Sequence, residues 1–204
     1  MANNKTNRCL YQTNLKSFVE DNPYSILGRI HNAFHGPALT TTDEAWIGEI
    51  DLLQEVLLPW KDEEAEIIFE YDIPRLGKRI DVVLLLRGII FCFEFKVGQK
   101  NALKSDVEQV MDYALDLKNF HRYSHDRIIV PILIPTKHRS SSNSFTPSVY
   151  EDSIFNPLIT GANGLQNLIN GVLQHARANT PGTIKDWIIS PYTPTPVSYT
   201  HLRA

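Results

Sequence analysis

The stretch IIFCFEFKVG, residues 89–98, constrains this chain more than any other. Ile89, Ile90, Phe91, Cys92, Phe93 and Phe95 read as a strand buried on both faces, bounded by Arg87-Gly88 before it and Gly98 after it. Into that strand the chain puts Glu94 and Lys96. Side chains on a strand alternate between faces, so these two point the same way. A carboxylate and an ammonium in an aromatic strand are costly unless each is paired or bound to something. Whatever fold forms around this strand must supply those partners.

The neighbouring segments suggest the frame. AEIIFEYDIP reads as a strand closed by Pro74. RLGKRIDVVLLL is a turn at Gly77 followed by a strand from about Arg79 to Leu86, and Arg87-Gly88 makes a tight hairpin into the aromatic strand. Three strands this close in sequence form an antiparallel meander. ALKSDVEQVMDYALDLKNFH has helical period, with Ser105 or Asp106 as its cap, and RIIVPILIP is an apolar strand after it. Strand, helix and strand make a crossover, which sets the last strand parallel to the aromatic one. TTTDEAWIGEIDLLQEVLLPW reads as an earlier helix, capped by Thr42 or Asp43 and ended by Pro59. GANGLQNLINGVLQHARAN is a final amphipathic helix. The fold class expected is α/β, a mixed sheet of about four strands, antiparallel meander plus one parallel strand, flanked by helices. Residues 1–40 read as an irregular N-terminal extension with a short helix around Tyr24–His31, and SPYTPTPVSYTHLRA reads as a structureless tail.

Composition narrows the function. The chain is 43% hydrophobic and 21% charged, ordinary for a globular protein. No apolar run reaches the ~20 residues that span a bilayer, and the polar N-terminus lacks a signal-peptide core. A cytoplasmic protein with no membrane partner is the expectation. Cys9 and Cys92 are too few and too far apart for a zinc site of the usual spacing. The formal net charge of −3 is not the strong positive footprint of a nucleic-acid-binding module. It leaves room for an enzyme whose site is acidic and whose basic groups are local.

Polar residues that interrupt apolar faces are the candidates for chemistry. On the first long helix Trp46, Ile50, Leu53 and Leu57 form a stripe, and Glu49 falls inside the apolar arc rather than on the solvated face with Glu44, Asp51 and Glu55. Asp81 begins a strand on the face of Val83 and Leu85. Gln109 and Tyr113 stand at i, i+4 on the helix after the aromatic strand. Only a hairpin separates Asp81 from Glu94, so the two carboxylates can approach across neighbouring strands. Bare, they repel; a divalent cation turns that repulsion into a site, and oxygen donors favour Mg²⁺ or Mn²⁺. Lys96 would then stand where it can position an attacking water or stabilise developing negative charge.

Glu49, Asp81, Glu94-Phe95-Lys96 and Gln109-x-x-x-Tyr113, in this order and context, resemble the PD-(D/E)XK nuclease superfamily and its RecB-like branch in particular. The resemblance covers about residues 43–135. It implies a restriction-endonuclease-like core and Mg²⁺-dependent hydrolysis of phosphodiester bonds in nucleic acid, DNA foremost. It implies that Asp81, Glu94 and the main-chain carbonyl of Phe95 ligate the metal, that Glu49 supports the metal or its water, that Lys96 is the catalytic lysine, and that Gln109 and Tyr113 brace the site or touch nucleic acid. Ile80 stands where the family's name has proline.

The segments FEYDIPRLGKRIDVVLLLRG, FEFKVG, QVMDYALDLKNFH, VPILIPT and SPYTPTP also resemble the N-terminal region of bacterial proteins that join such a domain to a P-loop helicase-type ATPase. That likeness implies a nuclease-like domain over 41–180, a proline-rich linker over 181–196 and an ATPase partner region in a longer protein. This chain carries no G-x-x-x-x-G-K-[ST]. VSYTHLRA resembles a translated sequencing adapter, so residues 197–204 are expected to be a non-native tail.

Arg75, Lys78 and Arg79, near Asp81 in sequence, are candidates for gripping a nucleic-acid backbone, with Lys118 and Arg122 as further candidate phosphate contacts. Two other readings stay open: a non-cleaving nucleic-acid-binding module of the same fold, and a non-enzymatic interaction domain in which Glu94 and Lys96 are a structural ion pair.

Overall fold

A computed structural model describes residues 8–34, 40–139, 148–150, 153–176 and 186–194. The order of elements is β1 (Tyr11–Asn14), α1 (Leu15–Glu20), α2 (Pro23–Ala33), α3 (Thr40–Leu57), β2 (Ala65–Ile73), β3 (Lys78–Leu86), β4 (Ile89–Lys96), α4 (Lys104–Phe120), β5 (Ile128–Pro135), β6 (Leu158–Ile159) and α5 (Leu165–His175). The six strands form one mixed sheet in the order β1-β2-β3-β4-β5-β6. Its first three pairings are antiparallel, and β4-β5 and β5-β6 are parallel.

The meander and the crossover follow from short connections. Arg87 and Gly88 both take positive φ, 52° and 75°, the backbone of the type I′ turn whose twist matches a hairpin. Arg87 is the poorer residue for that conformation, and its guanidinium is held by Glu63 at 2.6 and 2.8 Å. The sheet is larger than the four strands expected, because β1 and β6 add one edge each. β1 lies within the stretch read as an irregular extension: Tyr11 pairs with Phe69 and Asn14 with Glu66. Asn14 then caps α1 by accepting the N–H of Ser17 at 2.8 Å, and Asn22 caps α2 ahead of Pro23.

Two apolar layers cover the sheet. On one face Ile67, Phe69, Val82, Leu84, Phe91, Phe93, Val130 and Ile132 pack under α1, α2, α3 and α5. Ile50, Leu53 and Leu57 of the α3 stripe are fully buried there, at about 2 kcal/mol each. On the other face Val83, Leu85, Ile90, Cys92 and Ile129 pack under Tyr113, Ala114 and Leu117 of α4.

Two caps differ from expectation. α3 starts at Thr40, which puts Asp43 in its first turn instead of at its cap. α4 is preceded by Leu103, so Ser105 and Asp106 lie inside the helix. The segment read as a structureless tail, 190–204, docks over its described part, 190–194, together with residues 186–189 before it. Trp187 and Ser190 are buried, Tyr192 donates a hydrogen bond to Asp116, and Arg8 donates to the Ser190 carbonyl at 2.6 Å. No helix among the described residues is long and apolar enough to cross a membrane.

Candidate active site

The site forms where β3 and β4 part. Their pairing ends at Val82↔Phe93, so Asp81 and Glu94 are the next residues on either side. Asp81 does not keep the face of Val83 and Leu85. Its carboxylate turns into the gap and accepts the main-chain N–H of Phe95 at 2.7 Å. The cause lies on the other neighbour. Between the pairs Phe69↔Val82 and Tyr71↔Ile80, Glu70 adopts φ 55°, and alternation breaks in both strands at once. Phe69 and Val82 pack in the α3 layer, while Tyr71 and Ile80 pack in the α4 layer. A strand residue directs its N–H and C=O to the same side, so the Phe95 carbonyl also faces the opening beside Asp81.

Glu94 is 4% exposed and sits under α4. Its Oε1 accepts from Lys96 Nζ at 2.9 Å and from Gln109 Nε2 at 2.8 Å. Gln109 Nε2 also donates to the Tyr113 hydroxyl, and its Oε1 lies 3.4 Å from Lys96 Nζ. Lys96 has a second carboxylate, Asp106, at 3.6 Å. Glu94 thus has one oxygen fully engaged, whereas Oε2 is buried with no hydrogen-bond partner. Asp106 Oδ2 is in the same condition.

From the opposite layer α3 contributes Glu49, 8% exposed, and Trp46, whose Nε1 donates to Glu70 at 3.0 Å. The fields confirm how closely the acids gather. Burial lifts the Glu49 carboxyl well above the usual range, and the charges of Asp81, Glu70 and Glu94 lift it further. Asp81 is also pushed well up, by burial and then by Glu94, against the opposing hydrogen bond from Phe95. Glu94 is raised by burial, with Lys96 opposing. Burial disfavours the Lys96 cation, but its bond to Glu94 and the charges of Glu94, Asp106 and Asp81 outweigh that and raise it. Tyr113 is raised by burial and by Glu94.

Of the residues singled out from sequence, Glu49, Asp81, Glu94, Phe95, Lys96, Gln109 and Tyr113 are therefore brought together. Arg79 reaches the edge of the cluster, 3.7 Å from Glu70. Arg75 does not: it lies 3.7 Å from Asp116 and 3.4 Å over the ring of Phe120, the latter eleven residues or about 16 Å along α4 from Gln109. Lys78 is exposed at the start of β3. Lys118 is turned inward, with its ammonium on the Arg127 carbonyl at 3.0 Å.

Two members escaped sequence reasoning. Glu70 is the residue opposite Asp81, and counting back from the hairpin pair Ile73↔Lys78 would have found it. Asp106 precedes Gln109 by three, so it shares that helix face; reading it as a cap hid it.

Among the described residues no three or more His, Cys, Asp or Glu side chains are set to share one cation. The donors that do converge are two carboxylates, one with a buried free oxygen, and a main-chain carbonyl. That set suits Mg²⁺, which keeps several waters and needs few protein oxygens. Compared with family models, with curated proteins and with solved structures, the chain matches none.

Proposed function

We propose that this domain hydrolyses phosphodiester bonds in nucleic acid, DNA foremost, with Mg²⁺ or Mn²⁺ as cofactor, on a restriction-endonuclease-like core. One observation carries the reading: Glu94 Oε2 is buried without a partner beside Asp81, across a strand opening, with an ammonium already held on Glu94 Oε1. An unpaired buried carboxylate oxygen is costly, and a cation offsets that cost.

Asp81, Glu94 and the Phe95 carbonyl would hold the ion. When bound, it supplies positive charge that acidifies an attacking water and neutralises the phosphate. The other groups act as follows. Lys96 keeps its ammonium through Glu94 and Asp106 and presents it at the mouth of the opening, where charge develops on the phosphoryl oxygens. Gln109 fixes the Glu94 rotamer, and Tyr113 fixes Gln109, so the acceptor oxygen cannot swing away. Glu49, with its raised affinity for protons, can hold a proton beside Asp81.

A second reading has its own support. Lys96 pairs with Asp106, which is no member of the donor set, as a purely structural ion pair would. Cleavage of labelled single- and double-stranded DNA in Mg²⁺, Mn²⁺ or EDTA, beside Asp81→Ala and Lys96→Ala, separates the two. Metal-dependent cutting lost in both variants establishes the nuclease. Folded wild-type protein that never cuts in either metal leaves the ion pair as structure. In the wider proposal the domain works in the cytoplasm as the nuclease part of a longer protein with a P-loop ATPase region.

A further inference from the structure

The loops that follow β4 and β5 are zippered together beyond Lys96. Thr136 N–H donates to the Lys96 carbonyl at 3.1 Å, Gly98 N–H to Thr136 Oγ1 at 2.9 Å, and Lys137 N–H to the Gln99 carbonyl at 2.9 Å. His138 Nδ1 lies 3.0 Å from the Lys100 carbonyl, which can only accept, so Nδ1 carries the hydrogen and Nε2 is left for another partner. Gly161 backs this loop: a side chain there would place its Cβ 1.8 Å from the His138 carbonyl oxygen.

The zipper frames a cavity of about 970 Å³ lined by Lys100, Lys137, His138 and Arg139, with Asn101 and Asn163 among its other walls. Among the described residues no acidic side chain lines it. Among the described residues no ion pair engages Lys100, Lys137 or Arg139. Three unneutralised cations around one opening are unusual in a chain of net charge −3. The opening lies past the carboxyl ends of two adjacent parallel strands, where α/β sheets collect ligands.

We infer that this basic cavity is a second binding site, which takes phosphates of the same nucleic-acid strand a few nucleotides from Lys96. In naming nucleic acid as the polyanion, it rests on the function proposed above. Lys100 is four residues past Lys96, at most about 14 Å of chain, which is about four nucleotides of one duplex strand. The carboxylate cluster repels a bare phosphate strand, so an acidic site of this kind needs attraction supplied from beside it. The cavity is the place in the described structure where cations are concentrated without counter-charges.

The test is fluorescence anisotropy of labelled single- and double-stranded DNA of about 20 nucleotides, in EDTA, across a salt series. It compares wild type, Asp81→Ala, and a triple variant Lys100→Ala/Lys137→Ala/Arg139→Ala. All three substituted basic residues are exposed, and a circular-dichroism melt checks that the triple variant is folded. The expected result is a salt slope shallower by about two to three in the triple variant, with binding retained in Asp81→Ala. An unchanged slope, or no binding by wild type, overturns the inference. So does polyglutamate competing as well as DNA, which would assign the cavity to an acidic protein partner. A protein that binds through this cavity but never cuts in Mg²⁺ keeps the inference and removes the nuclease; cutting with cavity-independent binding does the reverse.

Discussion

Asp81 accepts the main-chain N–H of Phe95 at 2.7 Å, at the point where β3 and β4 stop pairing. One carboxylate thereby replaces a missing rung of the sheet and is aimed at Glu94 in the same act. Holding Asp81 there costs the fold, since it crowds two acids; the hydrogen bond recovers part of that cost.

Asp81→Asn separates the two roles. Asparagine keeps an oxygen for the Phe95 N–H and loses the charge. The metal-free variant should be as stable as wild type or more so, while cleavage falls at least about 100-fold. Asp81→Ala, with no acceptor, should lose about 1–2 kcal/mol in urea unfolding. Equal cutting by Asp81→Asn and wild type would remove Asp81 from the ligand set.

Lys96→Met leaves Glu94 and Asp106 without their common cation. Lys96 is 19% exposed, so the destabilisation should sit at about 2–3 kcal/mol, below the full cost of a buried pair. Asp106→Asn should keep cutting within a few-fold of wild type while Lys96→Met abolishes it. Cutting that survives in Lys96→Met and fails in Asp106→Asn would invert the roles assigned to them.

The raised carboxyls of Glu49, Asp81 and Glu94 give the metal-free protein a signed pH dependence. Their folded affinity for protons exceeds the unfolded one, so their contribution is full below the unfolded carboxylate range and is lost as pH rises through the folded values. Mg²⁺ needs Asp81 and Glu94 ionised. The Mg²⁺-induced rise in Tm should therefore be larger at about pH 8 than at about pH 5.5. A rise of equal size at both, measured by scanning calorimetry, would show that these carboxylates do not bind the ion.

His121 acts with the opposite sign. It is fully buried against Trp187, with ring centroids 4.3 Å apart, and Nδ1 is 2.7 Å from Ser124 Oγ. Burial holds its pKa down to about 3. The unfolded chain binds the extra proton, so this contribution is full above about pH 6.5 and is lost as pH falls toward the folded value, at up to about 1.4 kcal/mol per pH unit. Denaturant unfolding at several pH values should show a steeper acid loss in wild type than in His121→Phe. Parallel curves would mean that His121 is protonated in the folded state.

Much of this arrangement was legible in sequence because it is local. Alternation and turn chemistry mark β2, β3 and β4, and helical period marks α3, α4 and α5. Glu49, Glu94 and Lys96 stood out because each breaks an apolar pattern. What stayed hidden depends on distant pairing. β1 is four residues, YQTN, with little apolar signal, and it becomes a strand only because Phe69 lies opposite Tyr11. β6 is two residues long. Trp187 and Tyr192 sit in proline-rich sequence, and nothing nearby announces that His121 and Asp116 wait for them. Glu70 is marked by no sequence pattern, because alternation assumes φ < 0 throughout and its φ is 55°.

That break in alternation at Glu70 and Asp81 has a wider consequence. On one side of it alternate residues of β2 and β3 serve both cores, and on the other Tyr71, Ile73 and Ile80 all serve the α4 core. The acids therefore stand where the strand pair stops feeding both layers and feeds one. A substitution there is read by both cores at once, so such a protein cannot tune its chemistry and its folding as separate traits. Selection for a stronger cation site at this seam would act, unavoidably, on whether the two layers melt together or apart.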